Sequence, residues 1–390
     1  MFKCPFYTDN PADLDWDAIS AAYPWIERMK TVEQDPIWHA EGNVWIHTRM
    51  VTEALIGLPE FHEESEQDRH ILFWTALLHD VEKFSTTVLD DYSEDEKRPC
   101  VSAPRHAKRG EYTARDILYR EHNCPFEIRE QICKMVRWHG VPLWAMDKDN
   151  PQKTVLESSL YIKNRWLGMF AKADALGRKC HDLQDLLCRI EIFEEICKEN
   201  KVWDSAYQFP SELGRFLYLY DESKTYPDYE PFDDYVGNVT MLCGLPGAGK
   251  STYIKKRHPG TPVVSMDAIR RERKIKRGDK KAEGRMLQEI KEMAKEYMRK
   301  STPFVWDATN ITKNDRGKLI DLAMTYKYKV KIVYIEPDYN TLLQQNSERE
   351  YKVPESTIKG YLRGLEIPGP SEAYVVKYAT PDVPKIKATH

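Results

Sequence analysis

Residues 244–251 read Gly-Leu-Pro-Gly-Ala-Gly-Lys-Ser, which has the G-x-x-x-x-G-K-[ST] spacing of a phosphate-wrapping loop. Gly244, Gly247 and Gly249 let the backbone close on an anion so that several N–H groups point at it, and a following helix adds its positive end. On this reading Gly247, Ala248, Gly249 and Thr252 line the phosphates of a nucleoside triphosphate, ATP or GTP. Lys250 reaches the β and γ phosphates, and the Ser251 hydroxyl binds Mg²⁺. A glycine turn followed by a surface lysine is the plain alternative. The apolar run VTMLCG before the loop and the helical stretch after it favour the phosphate site.

The next apolar run, PVVSMD, ends at Asp267. The carboxyl edge of a parallel sheet is where ligands bind, so this aspartate can face the γ phosphate and accept a proton from an attacking hydroxyl. Arg270, one helical turn later, shares its face and can hold an anionic part of the acceptor. An N-cap aspartate with a solvated arginine is the competing reading. In PFVWDATN, Asp307 stands at a strand tip suited to Mg²⁺ or its waters, or simply caps the next helix. Arg349 lies in a polar helical segment, QQNSEREYKVPESTIKGYL, placed to act as a lid arginine over phosphates. Residues 269–281, IRRERKIKRGDKK, hold eight basic and two acidic residues with no aromatic among them, which suits contact with phosphates and not base stacking.

A different chemistry is written before residue 220. His47 is followed by the pair His79-Asp80 and, far downstream, by Asp174. Imidazole with carboxylate suits Mn²⁺, Fe²⁺, Co²⁺, Ni²⁺, Cu²⁺ or Zn²⁺ better than Mg²⁺ or Ca²⁺. Adjacent residues on one helix diverge by about 100°, yet both can meet ions lying between helices. His106 and His139, each beside helical pattern, can complete a second metal. Single histidines on such helices are usually packed or solvated; the ordered set is what points to metal. Two divalent ions would make hydroxide from water near neutral pH and bind phosphoryl oxygens. Lys83 or His106 can then protonate the leaving group.

These residues need two kinds of scaffold. Stretches such as 68–84 and 182–199 carry apolar residues at three- and four-residue steps, so the first 220 residues read as all-α. After 236, short apolar runs at 239–244, 262–267, 303–310 and 328–337 alternate with helical stretches at 282–300, 312–326 and 354–366, which predicts a parallel sheet covered by helices. Between them 221–235, DESKTYPDYEPFDDY, reads as a linker. The expected organisation is 1–220, linker 221–235, and 236–390. Charge divides at the same place: 28 basic and 44 acidic residues give −16 for 1–235, while 30 and 18 give +12 for 236–390. The basic half can attract a polyanion that the net −4 hides. With 41% hydrophobic and 31% charged residues, neither a disordered chain nor a membrane protein is expected. A polar, acidic start and eight cysteines without a C-x-x-C pair predict reduced thiols and a cytoplasmic chain.

GLPGAGKST, SMDAIR, WDATN and the lid segment resemble the kinase module of the polynucleotide 5′-kinase family over most of 238–368. That likeness implies Asp267 as general base on a 5′-hydroxyl, Arg270 on the acceptor phosphate, and Arg349 as the second lid arginine, with Gln345 standing where the first would be. HxEGxVxxHT (39–48), LLHDVEK (77–83) and MFAKADALGR (169–178) resemble the HD superfamily of metal-dependent phosphohydrolases. That second likeness implies His47, His79, Asp80 and Asp174 on a first metal, His106 and His139 on a second, and Lys83 on the substrate phosphate. His39 and Glu41 belong either to the substrate cleft or to the cap of the entering helix. The two halves in this order look like the HD-Pnk family of bacterial RNA end-healing enzymes. The resemblance implies removal of a 2′,3′-cyclic phosphate, 2′-phosphate or 3′-phosphate, phosphorylation of 5′-OH RNA or DNA ends, and an RNA ligase acting afterwards. An HD nucleotidase or phosphodiesterase fused to a small-metabolite kinase is the alternative.

Overall fold

The computed structural model describes residues 1–94, 97–221, 226–275 and 279–381. The chain divides into two compact units, Met1–Tyr207 and Gln208–His390.

The first unit is helical. Five helices position its candidate ligands: Val44–Gly57, Glu66–Leu78, His106–Arg120, Phe126–Trp138 and Asn164–Leu176. Side-chain caps fix where two of them start. Asn43 Oδ1 accepts the Ile46 N–H at 3.0 Å and Ser65 Oγ accepts the Asp68 N–H at 3.2 Å, each typically worth about 1 kcal/mol. Their apolar faces meet around Phe73, Trp74, Trp166 and Phe170, all essentially without solvent contact.

The helical pattern over 68–84 is interrupted. The first helix of that stretch stops at Leu78, and His79 is its C-cap, donating its N–H to the Thr75 carbonyl at 2.8 Å. Asp80 lies in the turn that follows, before the short helix Lys83–Thr86. Because Asp80 has left the helix, the 100° divergence of adjacent helical residues does not separate it from His79.

One element of this unit is not helical: an antiparallel hairpin of β1 (Val88–Ser93) and β2 (Arg98–Ser102). Its sequence is acidic and poor in alternating apolar residues, so no periodicity marks it. Asp35 ties it down. The Arg98 guanidinium donates to both carboxylate oxygens at 2.9 and 3.0 Å, and the Val101 N–H adds a third bond at 3.1 Å. Burial opposes the charge on Asp35, but these donors prevail and hold its carboxyl down to about 2.

The second unit is built on five parallel strands: β3 (Gly237–Cys243), β4 (Val263–Ser265), β5 (Phe304–Asp307), β6 (Tyr328–Ile335) and β7 (Val375–Ala379). They lie in the order β4-β5-β3-β6-β7. The first four follow the apolar runs of the sequence. β7 is a half-exposed edge strand, and its weaker apolar signal hid it. Strand β3 is central, so the loop leaving its carboxyl end opens where the strand order reverses, the usual ligand crevice of such sheets. The helices Lys280–Arg299, Lys313–Thr325 and Glu355–Leu362 match the predicted stretches.

The helix Glu212–Tyr220, expected in the first domain, falls in the second unit. Arg215 donates to the Tyr374 carbonyl at 2.8 Å and the Tyr220 hydroxyl donates to Asp321. The second unit therefore begins before the expected linker, of which 222–225 lie outside the described residues. Residues 276–278 of the basic run also lie outside them. All eight cysteines are free thiols, and no helix among the described residues is long and apolar enough to cross a membrane.

Candidate active sites

In the first unit, side chains from four helices and the 79–82 turn converge. His47, His79 and Asp80 form one close set, and Asp80, His106 and His139 form another, each with its ligand atoms within 4.8 Å of one another. Asp80 belongs to both. Its Oδ2 is 3.3 Å from His79 Nε2 and 3.8 Å from His47 Nε2, and its Oδ1 is 3.4 Å from His106 Nε2. Asp174 Oδ1 stands 3.1 Å from His47 Nε2, on the side of the first set. His106 and His139, the residues with the weakest sequence surroundings, approach with Nε2 atoms 3.3 Å apart.

The imidazoles are oriented by backbone. Nδ1 of His79, His106 and His139 lies 2.7–2.8 Å from the carbonyls of Ala76, Ala103 and Val136, each three residues earlier. Donation to those carbonyls puts the proton on Nδ1 and leaves the Nε2 lone pair facing the centre, the form that binds a metal. Burial, helped by His106 and His79, pushes His139 down to about 3, so it is neutral. Burial also lowers His106. His47 goes the other way: burial opposes its charge, but the carboxylates of Asp174 and Glu41 outweigh it.

Apart from these ion-pair approaches, the buried atoms His47 Nε2, His79 Nε2 and Asp80 Oδ1 make no hydrogen bond of good geometry. Orphaned donor atoms of this kind, nitrogen and oxygen together, are what a first-row divalent ion satisfies. Two side chains complete the surroundings. Lys83 Nζ is 2.8 Å from Asp80 Oδ2 and donates to Gln34 Oε1 at 2.7 Å. The Arg178 guanidinium donates to both oxygens of Asp174, at 3.2 and 2.6 Å. Desolvation alone would raise the carboxyls of Asp80 and Asp174; Lys83 and Arg178, respectively, hold them well below the ordinary range. Asp80, Lys83, His106, His139, Asp174 and Arg178 border a cavity of about 700 Å³.

Glu41 is resolved by the fold. It is buried, takes the Lys179 N–H at 2.8 Å, and its Oε1 stands 2.8 Å from His39 Nδ1 and 3.0 Å from His47 Nδ1. It stands against His47 and His39 rather than capping the entering helix, whose cap is Asn43. Arg178 was not foreseen, although its place four residues after Asp174 on a helical pattern is the spacing of a helical ion pair.

In the second unit the phosphate loop has the backbone its glycines predict. Gly247 and Gly249 have φ of +89° and +94°, and a Cβ on Gly247 would stand 2.7 Å from the Leu342 carbonyl. Lys250 donates to the carbonyls of Gly244 at 2.7 Å and Leu245 at 3.1 Å, so its ammonium is held over the loop. Burial lowers its proton affinity. Gly247 through Thr252 border a cavity of about 490 Å³, shared with Asp267, Arg270, Asp307, Gln345 and Arg349.

Asp267 is in the first turn of the helix Met266–Glu272, capped by Ser265, and so is not itself the N-cap. Arg270 is paired with it at 3.0 Å and with Glu283 at 3.7 Å. Asp307 accepts from Ser265 Oγ at 3.1 Å. Burial, with Asp267 nearby, raises the Asp307 carboxyl against the pull of Lys250. The loop after β5 is fastened beneath: Asn310 Nδ2 donates to the Leu242 carbonyl at 2.6 Å, and buried Arg316 donates to Glu372 at 2.7 and 2.9 Å and to the Asn310 carbonyl at 3.0 Å. Arg349 is not helical. The helix Tyr339–Ser347 has already ended at the C-cap Glu348, which leaves Arg349 in a bend on the cavity rim. Sequence also gave no stacking partner to the basic run, yet the fold brings Tyr351 against Arg271, with 5.6 Å from guanidinium to ring centre.

Residues 44–165 match the HD domain model, and residues 239–368 match an AAA domain model. A curated relative, the L-seryl-tRNA(Sec) kinase of Methanococcus maripaludis, is 25% identical over 151 residues, which is 37% of this chain and 58% of that protein. The chain thus spans less than two thirds of that relative's length. Similar solved structures include a gluconokinase from Sinorhizobium meliloti, at 16% identity and TM-score 0.28. A protein of Chloroflexus aurantiacus assigned as a kinase is 13% identical, with TM-score 0.32. Each covers 38% of this chain and 86% of its own. With a close histidine and aspartate cluster in one unit and a glycine-wrapped phosphate site in the other, the chain is an HD domain followed by a P-loop, kinase-like domain.

Proposed function

We propose that the protein heals nucleic-acid ends, phosphorylating a 5′-hydroxyl with a nucleoside triphosphate and Mg²⁺ in the second unit and removing a 2′,3′-cyclic, 2′- or 3′-phosphate in the first. The observation that carries the reading is Asp267 with Arg270, one turn apart on a helix bordering the same cavity as Lys250 and Ser251. A carboxylate there can take the proton from an acceptor hydroxyl while the guanidinium holds an adjacent phosphate, as a polynucleotide end requires. Lys250 counters charge on the transferring phosphoryl group, and Arg349 reaches it from the rim. The L-seryl-tRNA(Sec) kinase among the relatives takes an acceptor borne on RNA.

In the HD unit, His47, His79, Asp80 and Asp174 would hold one divalent ion, and His106 and His139, with Asp80 shared, a second. Bound there, such ions activate water and neutralise phosphoryl oxygens. The chain's own part is to keep the histidines in one tautomer and to present Lys83 and Arg178 to the substrate phosphate. The products, a 5′-phosphate and a free 3′ end, are what a ligase joins.

The test is an oligonucleotide with 5′-OH and 2′,3′-cyclic phosphate ends, incubated with labelled ATP or GTP, Mg²⁺ and Mn²⁺, with both ends analysed in RNA and DNA versions. Transfer of label to the 5′ end and loss of the cyclic phosphate are expected. Turnover of gluconate or another small alcohol without any oligonucleotide reaction would replace this reading with the small-metabolite one.

Two further results are expected. Asp267→Asn keeps nucleotide affinity within about twofold but lowers the transfer rate by on the order of 10² to 10⁴, the usual contribution of a general base. Equal losses in affinity and rate, measured by nucleotide titration and single turnover, would place Asp267 on Mg²⁺ instead. Salt dependence reports on the acceptor. At about −0.7 per single-strand phosphate neutralised, contact with four phosphates gives a slope near −3 in log affinity against log salt. A slope near zero in fluorescence anisotropy with a 5′-OH oligonucleotide would speak for a small acceptor.

A further inference from the structure

The HD cavity is larger than a phosphate needs. From Asp80 and Lys83 it continues to a wall formed by the segment after Trp138, and Trp144 borders it there. Trp144 is 50% exposed, unusual for a tryptophan in a cavity wall. Its neighbour Trp138 also borders the cavity, but that ring is packed edge-on against Tyr161 at 5.0 Å. Trp144 is held differently. The Arg189 guanidinium lies 5.2 Å from its ring centre, and the same guanidinium donates to the Leu143 carbonyl at 3.1 Å and to Asp147 at 3.0 Å. The indole thus rests on a cation fastened on both sides of it in sequence, so little ordering remains to be done when a flat ligand arrives. Lys148 and Arg137 border the same cavity, adding positive charge where a neighbouring phosphate of a polymer would pass.

We propose that Trp144 is a nucleobase platform, so that the HD site takes a nucleotide whose phosphate faces Asp80 and Lys83 while its base stacks on the indole. This rests on the phosphohydrolase reading of that unit and adds to it the residue that holds the base of the nucleoside whose phosphate is removed, free or at a strand end. Stacking tolerates any base, because each has a π-face.

The experiment uses the full chain and compares adenosine 3′-phosphate with glycerol 2-phosphate, a phosphomonoester with no ring. In Mn²⁺, Trp144→Ala is expected to raise KM for the nucleotide by about five- to a hundredfold, the range of one lost stacking contact, with kcat within about twofold. Glycerol 2-phosphate hydrolysis should be unchanged, and Trp144→Phe should recover most of the nucleotide KM. Calorimetric binding of adenosine 3′-phosphate to metal-stripped protein should weaken in Trp144→Ala and recover in Trp144→Phe. Equal loss on both substrates, or an unchanged nucleotide KM and affinity, overturns the proposal. Binding that depends on Trp144 in a protein that hydrolyses neither ester with any divalent ion supports it and overturns the phosphohydrolase reading instead.

Discussion

Replacing Lys250 with alanine is expected to remove phosphoryl transfer, by on the order of 10³-fold or more, while hydrolysis in the first unit continues at its normal rate. Each preorganised donor on developing charge is worth about 10² to 10³ in rate, and Lys250 adds a full charge on the β and γ phosphates. Its ammonium is already held over the loop by the carbonyls of Gly244 and Leu245, so the alanine variant loses a prepositioned group. Following both ends of a doubly labelled oligonucleotide checks this in one tube. If hydrolysis falls with transfer, the two chemistries share a site and the division of labour between the units is wrong.

The reciprocal result is expected of Asp80. This carboxylate is common to both close sets, so Asp80→Ala should lose both at once. If it removes about 4 kcal/mol of charge stabilisation, hydrolysis falls by on the order of 10³. On metal-stripped wild-type protein, Mn²⁺, Co²⁺ or Ni²⁺ should restore 2′,3′-phosphate removal and Mg²⁺ alone should not, since imidazole prefers first-row ions and Mg²⁺ keeps its waters. The variant should show no such rescue, yet phosphorylate 5′ ends normally with Mg²⁺. Asp80→Ala also leaves Lys83 buried without its carboxylate, a destabilising state. Asp80→Asn, with circular dichroism to confirm the helices, therefore accompanies it. Full hydrolysis by either variant, or by wild type in Mg²⁺ alone, would remove the metal assignment.

How far sequence reached depends on whether a feature is local. The phosphate loop was legible because one contiguous stretch supplies its glycines, lysine and serine, and the apolar strand and helix around it are neighbours in the chain. The alternation of strands and helices in the second unit was legible for the same reason. His106 and His139 carry no sharp motif in the sequence, because what joins them is the packing of His106–Arg120 on Phe126–Trp138, which no spacing encodes. The hairpin was missed because its stability comes from Asp35, more than fifty residues earlier, rather than from alternation within it. Glu41 was seen but left with two roles until His47 was found beside it. Arg349 was read as helical because polar residues carry no sign of where a helix stops; the stop is a matter of its C-cap.

The pairing of Lys83 with Asp80 and of Arg178 with Asp174 bears on how this half of the chain endures in a changing cell. Two acidic side chains sealed inside a protein would ordinarily force a choice between picking up protons and coming apart. Here each has a basic companion from its own backbone neighbourhood, three or four residues away. Metal-stripped protein is therefore expected to stay folded, since both buried charges are countered within the chain. Scarcity of a trace element would then silence the hydrolase without condemning the polypeptide, and the same molecules could resume work when supply returns.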